Sequence, residues 1–507
     1  MYDAGLVNDK LVLLFLENQN AKIAVKTPGG KSDRISIKNV IMQGTVWGSL
    51  LCTASMDKLG KLVYGNTELV YKYKGVVDTP SLGMVDDILS VQKCSRDTIK
   101  MNSTVNAFIE GKKLKLSSKK CHRIHVKNPK SKDASNCMSL KVHEEKMNDA
   151  TQEKYFGDII NSSGTNRKTI DERKNKGFGI VSEIIAILEE IPLGRYKHEI
   201  GLKLRQAMFL NGILYNSEAW HSVSEEEIRT LETVDEHLLR AIVKGHAKTP
   251  LEFLYMEAGA IPIRFLITCR RLIYHQVIIK REDSELTKRI YCAQKNDPTP
   301  GDFTELLAKD FEMIDEIQND ETIKMTNSNS YKQFIKSKIR MRALKYLKSF
   351  QQTHSKVKEI VYEKLEVQPY LTSPLFSNDE VNLLHRLRSR MTECKANFKQ
   401  KYVHNLKCRM CNLEAEDQQH LLHCVELSKL FQTQSVTKGK VKYADIFSPN
   451  IEKQKVATTL FNKLFKLREH IIEEKDSQMA PSFTSVQLKM SDNLQHNVLF
   501  TQLPGNK

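Results

Sequence analysis

The sequence predicts an α+β chain: an antiparallel sheet with helices over residues 1–160, then a mainly α-helical remainder carrying a small metal-binding knuckle. Three observations predict this. Apolar runs at strand period meet in Leu82-Gly83-Met84-Val85-Asp86-Asp87-Ile88-Leu89-Ser90-Val91, a hairpin with two carboxylates at its tip. From Thr169 onward the apolar residues recur at helical spacing instead. Near the end, Cys408-x2-Cys411-x8-His420-x3-Cys424 brings together thiolate and imidazole donors at the spacing of a tetrahedral zinc site.

Composition bounds the function. Seventy-eight Lys and Arg against 61 Asp and Glu give a net charge of +17, which suits a polyanionic partner such as nucleic acid. A hydrophobic fraction of 40% is ample for packed cores, and 507 residues make room for several domains. No apolar run reaches the length of a bilayer, and Leu11 to Leu16 is cut short by Glu17 and Asn18, so no membrane partner is expected. The acidic start Met1-Tyr2-Asp3 does not read as a signal peptide. Seven of the ten cysteines are scattered singly, the pattern of reduced thiols in an intracellular protein of nucleus or cytoplasm.

Taken in order, Met1 to Glu17 has helical spacing. Ala21–Thr27 and Arg34–Val40 alternate at strand period around the turn Pro28-Gly29-Gly30, which predicts a hairpin. Gly44 and Gly48 lie in a loop that opens a helix through Met56, Leu59 and Leu62. Leu69 to Val77 reads as one strand, followed by the acidic hairpin and a helix over Thr98–Ile109. Gly111 to Lys132 holds nine Lys or Arg and no acid, yet Leu114, Leu116, Ile124 and Val126 interleave apolar positions, so the run reads as a phosphate-facing part of a folded unit.

Four blocks in this order resemble the palm of a reverse transcriptase from a non-long-terminal-repeat retrotransposon. Gln43-Gly44-Thr45-Val46-Trp47-Gly48 resembles the family's Gln-Gly loop, which implies that Gln43 and Gly44 touch template and incoming nucleotide. Met84-Val85-Asp86-Asp87 is similar to its aromatic-x-Asp-Asp motif, with Met84 in the aromatic place. By the same resemblance Lys120 would protonate the departing pyrophosphate, and Tyr155-Phe156-Gly157 would grip the primer. Asp86 and Asp87 would hold Mg2+ or Mn2+, because two-metal nucleotidyl transfer needs carboxylate oxygens on hard cations. The implied partners are an RNA template, a DNA primer and deoxynucleoside triphosphates.

The resemblance continues past the palm. Helices from Thr169 to Leu188 and through Leu202 and Leu210 lead into Asn211-Gly212-Ile213-Leu214-Tyr215-Asn216-Ser217-Glu218-Ala219-Trp220, similar to a Leu-Leu-Tyr-Gly-x-Glu-x-Trp thumb segment with Asn216 in the Gly place. Amphipathic helices are expected over Glu225–Val243 and Ile261–Ile279, the latter carrying Arg270 and Arg271. Holding a duplex by its phosphates would ask such helices for outward basic faces. Asn296 to Asp302 is dense in turn residues and reads as a boundary, after which helices follow over Phe303–Ile317, the strongly basic Lys332–Phe350, and Glu380–Met391.

The expected domains are a partial palm (1–160), a thumb (161–291), a helical extension (302–400), a zinc knuckle (401–430) with His423 as a spare ligand beside His420, a helical segment (431–475) and a disordered tail (476–507). In the family a further Asp bridges the metals from a strand that precedes the helix at Met1. Lacking that block and the fingers, the chain as written is expected to be inactive as a polymerase. A remnant that binds RNA or DNA without catalysis is the other reading open to the sequence.

Overall fold

The computed structural model describes residues 22–36, 46–66, 68–79, 82–84, 87–126, 139–190, 196–221, 223–316, 319–432 and 441–479. The expectations for the first helix, Gln43, Gly44, Asp86, the end of the basic run and the tail beyond Met479 lie outside these residues. The fold is mixed α and β, with about 58% of the described residues helical and small sheets. The strand pairs are antiparallel except for one. Two compact units divide the chain, residues 1–374 and 375–507.

In the first unit, β1 (Lys22–Ile23) pairs with β4 (Ile35–Ser36) and β2 (Lys26–Thr27) with β3 (Gly30–Lys31), giving the expected hairpin. Helix α1 (Val46–Gly65) follows. The segment read as one strand is instead a hairpin of β5 (Tyr71–Tyr73) and β6 (Val77–Thr79), because Lys74 and Gly75 turn the chain at φ 50° and 76°. A long-range contact holds that turn: the Lys74 ammonium lies 2.8 Å from Asp302, and the Tyr73 hydroxyl donates to the same carboxylate. The Asn296–Asp302 stretch therefore sits inside the first unit as a docking loop.

The acidic hairpin forms from β7 (Leu82–Met84) and β8 (Asp87–Leu89), with Met84 opposite Asp87. Alternation along β8 sends Ile88 against a core of Leu59 and Val63 from α1 and Met101 from α2 (Ser95–Gly111), while Asp87 is exposed. A 3-10 turn, Ser118–Lys120, leads to β9 (His122–Ile124). Leu114 and Val126 of the basic run are exposed rather than packed. Strands β10 (Lys141–Val142) and β11 (Glu145–Lys146) form a small hairpin, and β12 (Asn148–Ala150) pairs parallel with β9. The hairpin of β13 (Gln152–Tyr155) and β14 (Asp158–Asn161) completes the strands.

Helix α3 (Arg167–Glu190) buries Ile170, Val181, Ile184 and Leu188 at helical spacing. Helix α4 (Lys197–Leu204) passes through a π-helical turn into α5 (Leu210–Ile213). A capping box at Ser224 and Glu227 starts α6 (Glu225–Ile242), which packs along α3. Gly177 leaves room for this packing, since a Cβ there would lie 3.0 Å from Ile213 and 3.1 Å from Val234. Helices α7 (Leu251–Glu257), α8 (Ile263–Lys280), α9 (Leu286–Asn296), α10 (Phe303–Met313), α11 (Asp320–Met325) and α12 (Ser328–Thr353) complete the unit.

Ion pairs stitch these helices from inside. Arg205 donates to Asp235 through two nitrogens, at 2.7 and 2.5 Å, and Tyr255 donates to the same carboxylate. Arg271, expected on an outward face, is buried and pairs with Asp310 at 2.8 Å. Its neighbour Arg270 donates to the Leu214 carbonyl. The physical reason is that adjacent helical residues point about 100° apart, so a basic pair cannot share one face.

The second unit contains α13 (Asn378–Arg388), α14 (Gln418–His423), α15 (Val425–Gln432) and α16 (Ile451–Met479). Arg388 is buried and donates to the Ile446 carbonyl, whereas Arg386 is exposed. No helix among the described residues is long and apolar enough to cross a membrane.

Candidate functional site

Two hairpins that lie far apart in the sequence touch in the first unit. Tyr155 and Asp158 close β13–β14 with a two-residue turn in which Phe156 and Gly157 have φ 47° and 86°, the left-handed values that a tight primed turn requires. The Tyr155 hydroxyl donates across 3.4 Å to the Leu82 carbonyl on the acidic hairpin. Burial raises the Tyr155 phenol above its ordinary range, and the nearby charge of Asp87 raises it further. So Asp87 and the Tyr155-Phe156-Gly157 turn share one locality. Among the described residues no hydrogen bond or ion pair links the exposed Lys120 to these hairpins.

Three side chains clasp the turn. The buried Arg173 guanidinium donates to the Gly157 carbonyl at 2.7 Å and to the Asp158 carboxylate at 2.9 Å, and it lies over the Tyr215 ring. Tyr215 also closes over Gly157, where a Cβ would fall 3.0 Å from its ring. Asn216 donates to the Phe156 carbonyl at 3.2 Å. It sits at φ 60°, a left-handed conformation that Gly and Asn adopt most readily. Arg173 and Tyr215 carry no signal of this role in the sequence, because the contacts bridge 15 residues or more.

The second unit holds the other cluster. Cys408, Cys411, His420 and Cys424 place their ligand atoms within 4.8 Å of one another, a group that could hold a metal ion. A tetrahedral site with metal–sulfur bonds of ~2.3 Å puts its sulfurs ~3.8 Å apart. The Sγ atoms of Cys408 and Cys424 are separated by 3.9 Å, and Cys411 Sγ lies 3.3 Å from His420 Nε2. His420 Nδ1 meets the Glu414 carboxylate at 3.0 Å, which turns Nε2 toward the sulfurs in the usual carboxylate–histidine–metal manner. His420 is buried in the cluster, while His423 is exposed and outside it.

Local structure builds this arrangement. The chain doubles back after Cys408, whose N–H donates to the Glu414 carbonyl at 2.7 Å. Asp417 caps α14 by accepting from the His420 N–H at 2.7 Å, presenting His420 and Cys424 one turn apart. Burial pushes the Cys408 thiol up. Burial also opposes ionisation of Cys411, but backbone N–H groups of Leu413 and Glu414, together with His420, draw that thiol down.

Beneath the cluster lies a fully buried carboxylate, Glu416. It accepts from the Arg409 side chain at 2.6 to 3.2 Å, from the Arg409 N–H at 2.9 Å, and from Arg468 of α16 at 2.6 Å. Burial alone would raise Glu416, yet these donors and the two guanidinium charges pull it down to about 2. Arg468 also donates to the Glu393 carbonyl, so the cross-brace ties the metal loop to the long C-terminal helix.

No protein-family model matches the chain, and no curated protein matches it.

Proposed function

We propose that this chain is part of an RNA-directed DNA polymerase of the non-long-terminal-repeat retrotransposon kind, its first unit containing palm-like and thumb-like regions and its second a zinc knuckle. The observation that carries this reading is the contact between Tyr155 and Leu82, which joins the aromatic-Gly turn to the acidic hairpin across 73 residues. In a polymerase the primer end and the metal-holding carboxylates must meet within a few ångströms, so motifs for the two belong side by side. The left-handed Asn216, bonded to the same turn from the segment that resembles the thumb, supports it from a third direction.

In this reading Asp86 and Asp87 would hold Mg2+ or Mn2+, which when bound activates the primer hydroxyl and neutralises charge on the leaving pyrophosphate. Asp87 fits that task, because an exposed carboxylate at a strand end is open to a hard cation that keeps water and phosphate ligands. Gln43 and Gly44 would line the pocket for the incoming deoxynucleoside triphosphate, and Lys120 would protonate pyrophosphate. Tyr155, Phe156 and Gly157, steadied by Arg173, would hold the DNA primer on its RNA template. Zn2+ is the metal that three thiolates and one imidazole prefer, and four protein ligands make the Cys408 cluster a structural site.

The test is extension of a DNA primer on an RNA template with Mg2+ or Mn2+, comparing the chain with its Asp86→Ala and Asp87→Ala variants. Little extension is expected, and whatever extension appears should be abolished by both substitutions. A second reading, RNA or DNA binding without catalysis, draws on the closed Cys408 cluster, which leaves no ligand position open for chemistry. Tight hybrid binding with no extension by the unsubstituted chain would favour that second reading.

A further inference from the structure

Helix α12 lies outside the region that resembles palm and thumb, and its sequence has an unusual balance: seven Lys or Arg over 26 residues and no Asp or Glu. Its buried residues, Tyr331, Ile335, Ile339, Ala343, Leu347 and Gln351, recur every four positions and face α7 and α8. That anchoring fixes where the rest of the helix points. One position further along, at the same interval, stand Lys332, Lys336 and Arg340, then, past Leu344, Lys348, a row beside the buried stripe. Lys332, Lys336 and Arg340 are exposed and Lys348 is half-buried.

The other flank of the helix is neutralised only in part, since Arg342 and Lys345 have no carboxylate partner among the described residues. There Lys338 pairs with Glu316, and Tyr346 lies beneath Arg264, which pairs with Glu225 and Glu232. The row has no such relief: among the described residues none of its four cations pairs with a carboxylate, and Arg340 spends one N–H on the Leu365 carbonyl. Lys332 and Lys336 lie near enough to α8 to act on the Cys269 thiol, while Arg270 of α8 is engaged by Glu218 and the Leu214 carbonyl.

Like charges four residues apart destabilise a helix by a few tenths of a kcal/mol per pair, and a helix built only for solubility intersperses Glu with Lys. With a rise of ~1.5 Å per residue the row carries a cation about every 6 Å from Lys332 to Arg340 and another about 12 Å further on at Lys348. A rigid line of unpaired cations of that length complements a sugar–phosphate backbone. We propose that the Lys332–Lys336–Arg340–Lys348 row of α12 is a docking surface for the phosphate backbone of a nucleic acid. This stands apart from the polymerase reading, because it concerns binding alone and is measured without primer extension.

The experiment measures affinity of the full chain for a 20-nucleotide RNA and a 20-base-pair duplex by fluorescence anisotropy over a range of KCl. The triple variant Lys332→Gln, Lys336→Gln, Lys348→Gln should bind roughly tenfold or more weakly at ~0.1 M salt, with a salt slope shallower by about 2 to 3. Neutralising three exposed lysines of α16, Lys453, Lys463 and Lys466, changes the net charge equally and should leave the slope as it was. Lys→Arg at the three α12 positions should retain binding, which separates lost charge from lost folding. Equal slopes for the two Gln triples would overturn the proposal. So would a loss confined to polyglutamate or anionic vesicles with nucleic-acid binding intact.

Discussion

The acidic hairpin and the Cys408 cluster are built on opposite principles. Asp87 stands exposed at the end of a three-residue strand, steadied by a single 3.4 Å hydrogen bond from Tyr155 to Leu82. Cys408, His420 and Cys424 are buried, and Glu414, Asp417 and the Arg409–Glu416–Arg468 brace hold the loop around them. The difference follows from the chemistry of the donors. Hard cations at carboxylates need room for water and phosphate, whereas thiolates and imidazole close a tetrahedron and exclude solvent. In the proposed reading one site is left open for a substrate to complete, and the other is complete within the protein.

The sharpest way to break this comparison is to remove the metal from the closed site. Structural zinc contributes about 10 to 16 kcal/mol in small zinc modules, so chelation or Cys424→Ser should unfold residues 375–479 cooperatively. Circular dichroism with metal analysis checks this, and His423→Ala should keep one zinc per chain where His420→Ala loses it. Intact secondary structure in the second unit after complete metal removal would place its stability elsewhere.

The brace gives the next effect. Arg468→Met leaves a buried carboxylate short of a partner, a change that typically costs about 3 to 5 kcal/mol, to be read from denaturant melts. Acid probes the same group. Glu416 is held below its ordinary value, so its contribution is fully present above about pH 4.5 and is lost as pH falls toward about 2. Stability of the second unit should fall across that window, and Glu416→Gln should flatten the fall while lowering stability at pH 7.

In the first unit, Gly259→Ala should cost roughly 2 to 4 kcal/mol. Its φ is 57°, and a Cβ there would lie 2.2 Å from the Glu366–Val367 backbone, which pairs with Ala258. The smallest effect belongs to the open site. Tyr155→Phe removes one long hydrogen bond and should change stability by about 0.5 kcal/mol, while lowering affinity for a primer–template hybrid. A large loss of stability instead would mean that the two hairpins depend on each other structurally.

Much of this was legible from residue order. The Pro28-Gly29 hairpin, the acidic hairpin at Asp87 and the helices of the C-terminal two thirds follow from periodicity, because a buried face repeats every two residues in a strand and about every 3.6 in a helix. The metal cluster was legible for a related reason: its ligands lie within 17 positions, so a turn and a helix suffice to assemble them. The hairpin at Lys74-Gly75 was not, since Asp302, more than two hundred residues away, holds its turn.

By itself, then, the sequence determined the local elements, the Cys408 donor set and the acid-free composition of α12. Only the tertiary structure decided that Arg271 and Arg388 turn inward, that His420 rather than His423 joins the thiolates, and that Arg173, Tyr215 and Asn216 clasp the Gly157 turn. Which neighbours a side chain meets depends on how helices and strands pack, and that packing is settled by long-range burial and ion pairing rather than by spacing along the chain.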